Sequence, residues 1–182
     1  MINYELFRNF ALELKTINKM KQIFITALIA AVSYTAASAQ SLYKKVFDNA
    51  TAVVNNAASN DQQIQINQYK ITALNYISNQ VKKRKLEKNS YFYDSQAVNL
   101  ASFITDFETA IIKARAISTE KRLEVLACYR DASLQNPLFG DDDKETTYVY
   151  VNDKQTYTPF SLDTDWEKAY DQATEKVKAI LK

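Results

Sequence analysis

Apolar residues recur every three or four positions along most of this chain, the spacing of helices that each bury one face. In "SLYKKVFDNATAVVNNAAS" the stripe is Leu42, Val46, Ala50, Val53 and Ala57, widened by Tyr43, Phe47 and Val54. Asn60 with Gln63 has the form of a capping pair, opening a second helix through "QYKITALNYISNQVKKRKLEK" with Ile71, Leu74, Ile77 and Val81 inward. After a break at "KNSYFYDS", a third stripe runs through Ala97, Leu100, Ile104, Phe107, Ile111 and Ala114. A fourth starts near Ser118 or Thr119, with Leu123, Leu126 and Ala127. The connections are short, and consecutive helices joined by short loops pack as antiparallel neighbours, so the pattern predicts an up-and-down bundle.

Beyond Leu134 the pattern changes. "QNPLFGDDDKE" holds Pro137 and the only glycine, Gly140, which mark a loop. "TTYVYV" and "TYTPFSL" flank "NDKQ", and their β-branched and aromatic content predicts a small hairpin whose second strand, carrying Pro159, is an edge. Helical spacing returns in "DTDWEKAYDQATEKVKAILK", with Asp163 or Thr164 as cap and Trp166, Ala169, Tyr170, Ala173, Val177 and Ile180 inward. The expected fold is therefore mainly α, an up-and-down helical bundle of about five helices with a small β-hairpin before the last.

The N-terminal part follows a different logic. Met20 and Lys21 precede the apolar run Ile23 to Val32 and the small-residue ending Ala37-Ser38-Ala39, the three parts of a secretory signal, which puts the mature start at Gln40. An uncleaved anchor is the weaker reading, since a span needs about 20 apolar residues and Ser33, Tyr34, Thr35 and Ser38 interrupt this one. Residues 1–19 read as an upstream extension from a start codon assigned too early, residues 20–39 as the signal peptide, and residues 40–182 as a single helical domain. No cysteine follows the cleavage site to carry a lipid, so the product is expected to be periplasmic or secreted, with no stable membrane span after cleavage.

Export changes the charge balance. Of 23 basic and 21 acidic residues, Arg8, Lys15, Lys19 and Lys21 leave with the signal, as do Glu5 and Glu13, so 19 of each remain. A neutral domain has no global field to draw it to nucleic acid or an anionic membrane, and no nucleic-acid partner is expected. Cys128 is the only cysteine and lies in a helical stretch, which favours a buried free thiol.

The absence of histidine excludes the usual triads, histidine-metal sites and imidazole acid–base chemistry. One glycine excludes a phosphate-cradling loop. No cofactor is expected. What remains is chemistry by carboxylates, lysine or tyrosine, above all two acids flanking a glycosidic bond. Asp141, Asp142, Asp143 and Glu145 precede the predicted hairpin, and Asp163 and Asp165 follow it. A closed hairpin could bring the two groups together, as a catalytic pair or as oxygen ligands for calcium, with Asp141, Asp143 and Glu145 the candidate metal ligands. A solvated loop and helix cap is the plainer reading, because the run lacks a calcium-loop signature.

Two further features bear on binding. The basic run Lys82 to Lys85, followed by Lys88, lies where cations complement a helix C-terminus, with an acidic cell-surface polysaccharide as its functional reading. Tyr148, Tyr150 and Tyr157 are candidate binding residues: alternation puts Tyr148 and Tyr150 on one strand face, where rings stack on sugars or anchor an interface. Packing over the bundle end is the competing role for them.

The pairing of "DASLQNPLFGDDDKE" with "FSLDTDWEKAY", behind "KITALNY" and a signal ending in "ASAQ", resembles a family of small exported, mainly helical proteins from Bacteroides-like bacteria. The resemblance implies an exported helical domain and carries over no catalytic or binding residue. The sequence thus points to a non-catalytic interaction or ligand-binding protein, with an envelope protein or a glycan as partner. The alternatives are a carboxylate-dependent enzyme acting on glycans and a metal-binding acidic-loop protein, while a structural envelope subunit would leave an apolar face uncovered.

Overall fold

Each helix begins where the sequence supplies a short polar side chain able to accept from the first free backbone N–H groups. In a computed structural model of the protein, residues 41–140, 146–151 and 156–182 are described, with residues 146–151, 156 and 157 as backbone only. Helix α1 (Leu42–Val54) is capped by Ser41, α2 (Asp61–Lys83) by Asn60, α3 (Ser90–Ile117) by Asn89, and α4 (Thr119–Gln135) by Ser118. At α2 the cap is reciprocal: Gln63 N donates to Asn60 Oδ1 at 2.9 Å, and Asn60 N donates to Gln63 Oε1 at 3.0 Å. Strands β1 (Thr146–Val151) and β2 (Thr156–Ser161) pair antiparallel, Tyr148 opposite Pro159 and Tyr150 opposite Tyr157. The last helix, α5 (Trp166–Ile180), is capped by Asp165 and not by the expected Asp163 or Thr164, which are drawn into the core.

Helix α2 ends in a Schellman turn: Leu86 N donates to Val81 O at 3.0 Å and Lys85 N to Lys82 O at 3.1 Å. The turn requires left-handed backbone at the residue after the cap, and Lys85 supplies it at φ 53°. A Cβ in that conformation is strained, and glycine is not. Lys85→Gly is therefore expected to stabilise the fold by about 1 kcal/mol, read as a higher urea midpoint at unchanged m-value.

The core is one contiguous cluster drawn from α2, α3, α4, β2 and α5. Rings from all five elements meet there: Phe103 lies 5.0 Å from Tyr129, 5.4 Å from Phe160 and 5.3 Å from Trp166 between centroids, and Tyr69 lies 5.8 Å from Phe160. Most of these pairs are edge-to-face, the arrangement that suits the ring quadrupoles. Helices α3, α4 and α5 pack mutually, α1 packs on both α2 and α3, β1 lies on α2 and β2 on α4, while direct α2–α3 contact is slight. The described protein is thus a mainly helical bundle, and no described helix is long and apolar enough to cross a membrane.

Two helical stripes differ from expectation. The α1 stripe ends at Val54, leaving Ala57 outside the helix and exposed; Leu42, expected inward, is exposed as well, and Ala50 is the one fully buried residue of the helix. In α4 the inward residues are Val125, Leu126, Tyr129 and Ala132, while Leu123 is exposed. The bulky Tyr129, held between Phe103 and Phe107, sets the rotation of α4. Cys128, on the flank of that face, is only partly buried, and burial raises its thiol pKa.

Candidate functional site

Of the two segments singled out in the sequence, the described part of the first, "DASLQNPLFG", meets the start of the second, "FSLDTDW". What they form is a buried polar junction between the end of α4 and the turn from β2 into α5. Ser133, Ser161, Asp163 and Thr164 are all buried there. Ser161 N donates to Ser133 Oγ at 2.8 Å, and the Ser133 and Thr164 hydroxyls lie 3.1 Å apart. The Ser161 carbonyl accepts from Thr164 Oγ1 at 2.9 Å and from Tyr69 Oη at 3.0 Å, filling both its lone pairs. Thr164 Oγ1 also lies 3.2 Å from Ser133 O, so its proton has two carbonyl acceptors in reach, and each of these hydroxyls has a partner.

Asp163 extends the junction to the loop. Its Oδ1 accepts from Leu138 N at 3.1 Å and Phe139 N at 2.8 Å, and the residue is only 2 % exposed. One carboxylate thereby satisfies two successive backbone donors that have left α4, and fixes the chain around Pro137. Asn136 does the same from the other side, its carbonyl accepting from Asp165 N at 2.7 Å and its amide donating to Gln172 Oε1 at 2.7 Å.

Asp165 caps α5, accepting from Lys168 N at 3.4 Å, and pairs with Lys168 Nζ at 3.0 Å. Buried Gln96 of α3 reads the same turn with both ends of its amide: Oε1 accepts from Trp166 N at 3.0 Å and Nε2 donates to Asp165 Oδ1 at 3.4 Å. The following side chain, Trp166, enters the aromatic core, so the polar junction and the core share one anchor.

Both acids after the strands are therefore occupied by backbone and side-chain donors. Asp141, Asp142, Asp143 and Glu145 lie outside the described residues, as do the side chains of Tyr148, Tyr150 and Tyr157. Among the described residues no three potential ligands cluster as a metal site. A hollow of about 390 Å³ lies along α5 at Asp171, Thr174, Glu175 and Lys178, but a single helix lines it and it lacks the walls of a ligand site.

Sequence reasoning missed Gln96, Ser133 and Asn136. The available signal was position: Ser133 lies four residues after Tyr129 on the inward face of α4, and Gln96 directly precedes Ala97 on that of α3. A polar side chain on an apolar face is either an orphan or a connector, and here all three are connectors.

Other buried titratable groups surround the core. Lys70 and Glu108 are paired in charge: burial lowers the Lys70 pKa and raises that of Glu108, and their mutual attraction offsets part of each shift. Gln62 Nε2 donates to Glu108 at 3.4 Å. Burial raises Tyr43, Tyr69, Tyr129 and Tyr170, the last two also through Asp106, whose carboxylate accepts from Tyr170 Oη at 3.1 Å. In the unfolded chain tyrosine ionises near pH 10, whereas these four resist it in the fold. Their contribution is complete below pH 10 and declines as pH rises through the raised folded values. Lys70, lowered in the fold, acts in the opposite direction over the same range, but four groups outweigh one. Urea midpoints measured from pH 8 to 11.5 are expected to fall above pH 10, and Tyr129→Phe is expected to make that fall shallower.

No protein-family model, curated protein or solved structure matches this chain.

Proposed function

We propose that this chain is an exported, non-catalytic interaction or ligand-binding protein of the periplasm or cell exterior. In this reading residues 20–39 are a signal peptide removed between Ala39 and Gln40, residues 1–19 are an upstream extension, and residues 40–182 form an up-and-down bundle with a β-hairpin before its last helix. The observation that carries the choice is the commitment of Asp163 and Asp165. Their oxygens serve Leu138, Phe139, Lys168 and Gln96, so the glycan-cleaving alternative loses the acids it needs from the α5 side of its site.

The test has two parts. Mass spectrometry of the protein from the envelope fraction of its host should give an N-terminus at Gln40; an N-terminus at Met20 or Met1 contradicts export with cleavage. Incubation with a panel of acidic and neutral glycans should give no turnover. Turnover that disappears in Asp165→Asn, with the melting curve unchanged, overturns the non-catalytic reading in favour of a carboxylate enzyme.

A further inference from the structure

The domain's overall charge neutrality hides a local asymmetry. The end of α2 and the turn after it carry Lys82, Lys83, Arg84, Lys85 and Lys88, with Glu87 the one acid in that stretch of sequence, and every residue from Lys82 to Tyr91 is exposed. Among the described residues no carboxylate pairs with Lys82, Lys83 or Lys85. Arg84 is used within the fold: Nη1 donates to Phe139 O at 3.3 Å and the guanidinium lies 5.4 Å from the Phe139 ring centre.

Exposed apolar side chains lie at the same end. Tyr91 is 75 % exposed, Leu86 41 % and Leu42 37 %. That Leu42 belongs with the other two follows from its neighbour: Tyr43 N donates to Asp94 Oδ1 at 2.7 Å, and the Tyr43 and Tyr93 rings lie 5.6 Å apart. The start of α1, the end of α2 and the start of α3 therefore share one end of the bundle. Lys88 Nζ sits 4.6 Å over the Phe92 ring, and Phe92 in turn lies 5.4 Å from Tyr93, so cations and rings are interleaved there.

We propose that this end of the bundle docks on an anionic lipid surface, with Lys82, Lys83 and Lys85 facing the headgroup phosphates and Leu42, Leu86 and Tyr91 entering the boundary with the acyl chains. The proposal deepens the binding reading above and rests on it. Two observations select this occupant. Lys82, Lys83 and Lys85, which no carboxylate among the described residues pairs, lie beside exposed leucines and so match a surface that is negative outside and apolar just beneath. An acidic polysaccharide would match the cations but would leave the exposed side chains of Leu42 and Leu86 without a partner.

The experiment uses protein purified from the exporting cell, in the form in which it accumulates there. Co-sedimentation is measured with phosphatidylcholine vesicles carrying phosphatidylglycerol, and with phosphatidylcholine alone. The test variant is Lys82→Ala/Lys83→Ala/Lys85→Gly, in which alanine suits the helix and glycine suits the left-handed turn, so the fold is retained. A second variant, Leu42→Ser/Tyr91→Ser, removes the apolar half. The expected result is binding to the anionic vesicles only, weakened by salt, about fivefold weaker for each cation removed and so roughly a hundredfold weaker in the triple variant. The serine variant should also lose affinity while keeping its salt dependence. Binding that is equal on both vesicle types, absent from both, or unchanged in the triple variant overturns the proposal. Retention on an immobilised acidic polysaccharide without vesicle binding overturns it in favour of a glycan, and leaves the binding reading standing. Glycan turnover in the panel above would instead remove that reading itself.

Discussion

Asp163→Ala is expected to cost the fold about 3 kcal/mol, because it withdraws a charged acceptor from two backbone donors at once. Leu138 N and Phe139 N both point at Asp163 Oδ1, and no other acceptor for them is seen among the described residues. Their loss frees the chain around Pro137, which is otherwise held at this junction by Asn136 O accepting from Asp165 N. Asp163→Asn keeps an oxygen at the same position and should cost only about 1 kcal/mol, the difference between a charged and a neutral acceptor. Thermal unfolding distinguishes the two: a drop of about 10 °C for alanine and a few degrees for asparagine, on the scale of a domain of this size. Equal losses in both variants would mean that negative charge, and not the acceptor position, is what the fold uses.

Trp166→Ala is the most damaging single change expected, at about 4 kcal/mol, the scale of a large aromatic removed from a closed core. Trp166 is fully buried and its ring lies 5.3 Å from Phe103 and 6.1 Å from Tyr69 between centroids. Its removal opens a cavity where α2, α3 and α5 converge, and the surrounding rings cannot all move inward without losing their edge-to-face contacts. Trp166→Phe should be much milder, about 1–2 kcal/mol, because it leaves most of the volume filled and because the indole Nε1 has no hydrogen-bond partner among the described residues to lose. Urea unfolding of the three proteins gives the comparison. A Trp166→Phe loss as large as that of Trp166→Ala would show that the indole nitrogen is engaged after all. Because a domain of this kind has only about 5–15 kcal/mol in hand, the alanine variant should also show raised exchange throughout the core.

The contrast between the two ends of α5 shows what the sequence can and cannot reveal. Periodicity identified Trp166, Ala169, Ala173 and Val177 as inward, since a single helical face has to meet the core whatever its neighbours are. The start of the same helix was misplaced, with Asp163 or Thr164 expected as the cap where Asp165 serves. Asp163, Thr164 and Asp165 are three competent caps in a row, and local chemistry does not choose among them. Tertiary contacts do: Ser133 takes Thr164, the Pro137 loop takes Asp163, and the cap falls to Asp165. Leu123 failed for a related reason. Its spacing fits a stripe, but Tyr129 fills more of the interior and rotates α4 to suit itself. The Asn60–Gln63 pair, by contrast, is wholly local and was legible in full.

The expected meeting of Asp141, Asp142, Asp143 and Glu145 with Asp163 and Asp165 falls outside the described residues, but the stretch just before that run does meet the turn into α5. Yet a carboxylate reads identically in sequence whether it faces solvent, substrate or a backbone N–H. The distinction lies in Leu138, Phe139 and Gln96, residues whose part is contributed by main chain or by a side chain from a distant helix. The basic run shows the same limit in reverse. Its position at a helix end was clear, but its association with Leu42 and Tyr91 depends on α1 and α3 meeting at that end.

Amide hydrogen exchange at Leu138 and Phe139, compared between the native protein and Asp163→Ala, tests most directly whether Asp163 is a connector within the fold. Both amides should be protected in the native protein and exchange at loop rates in the variant, while the Trp166 amide, held by Gln96 Oε1, stays protected in both. Fast exchange at Leu138 and Phe139 in the native protein would mean that the Asp163 carboxylate is not bound to them. It would then be free for a substrate or a metal, and the non-catalytic reading would lose its support.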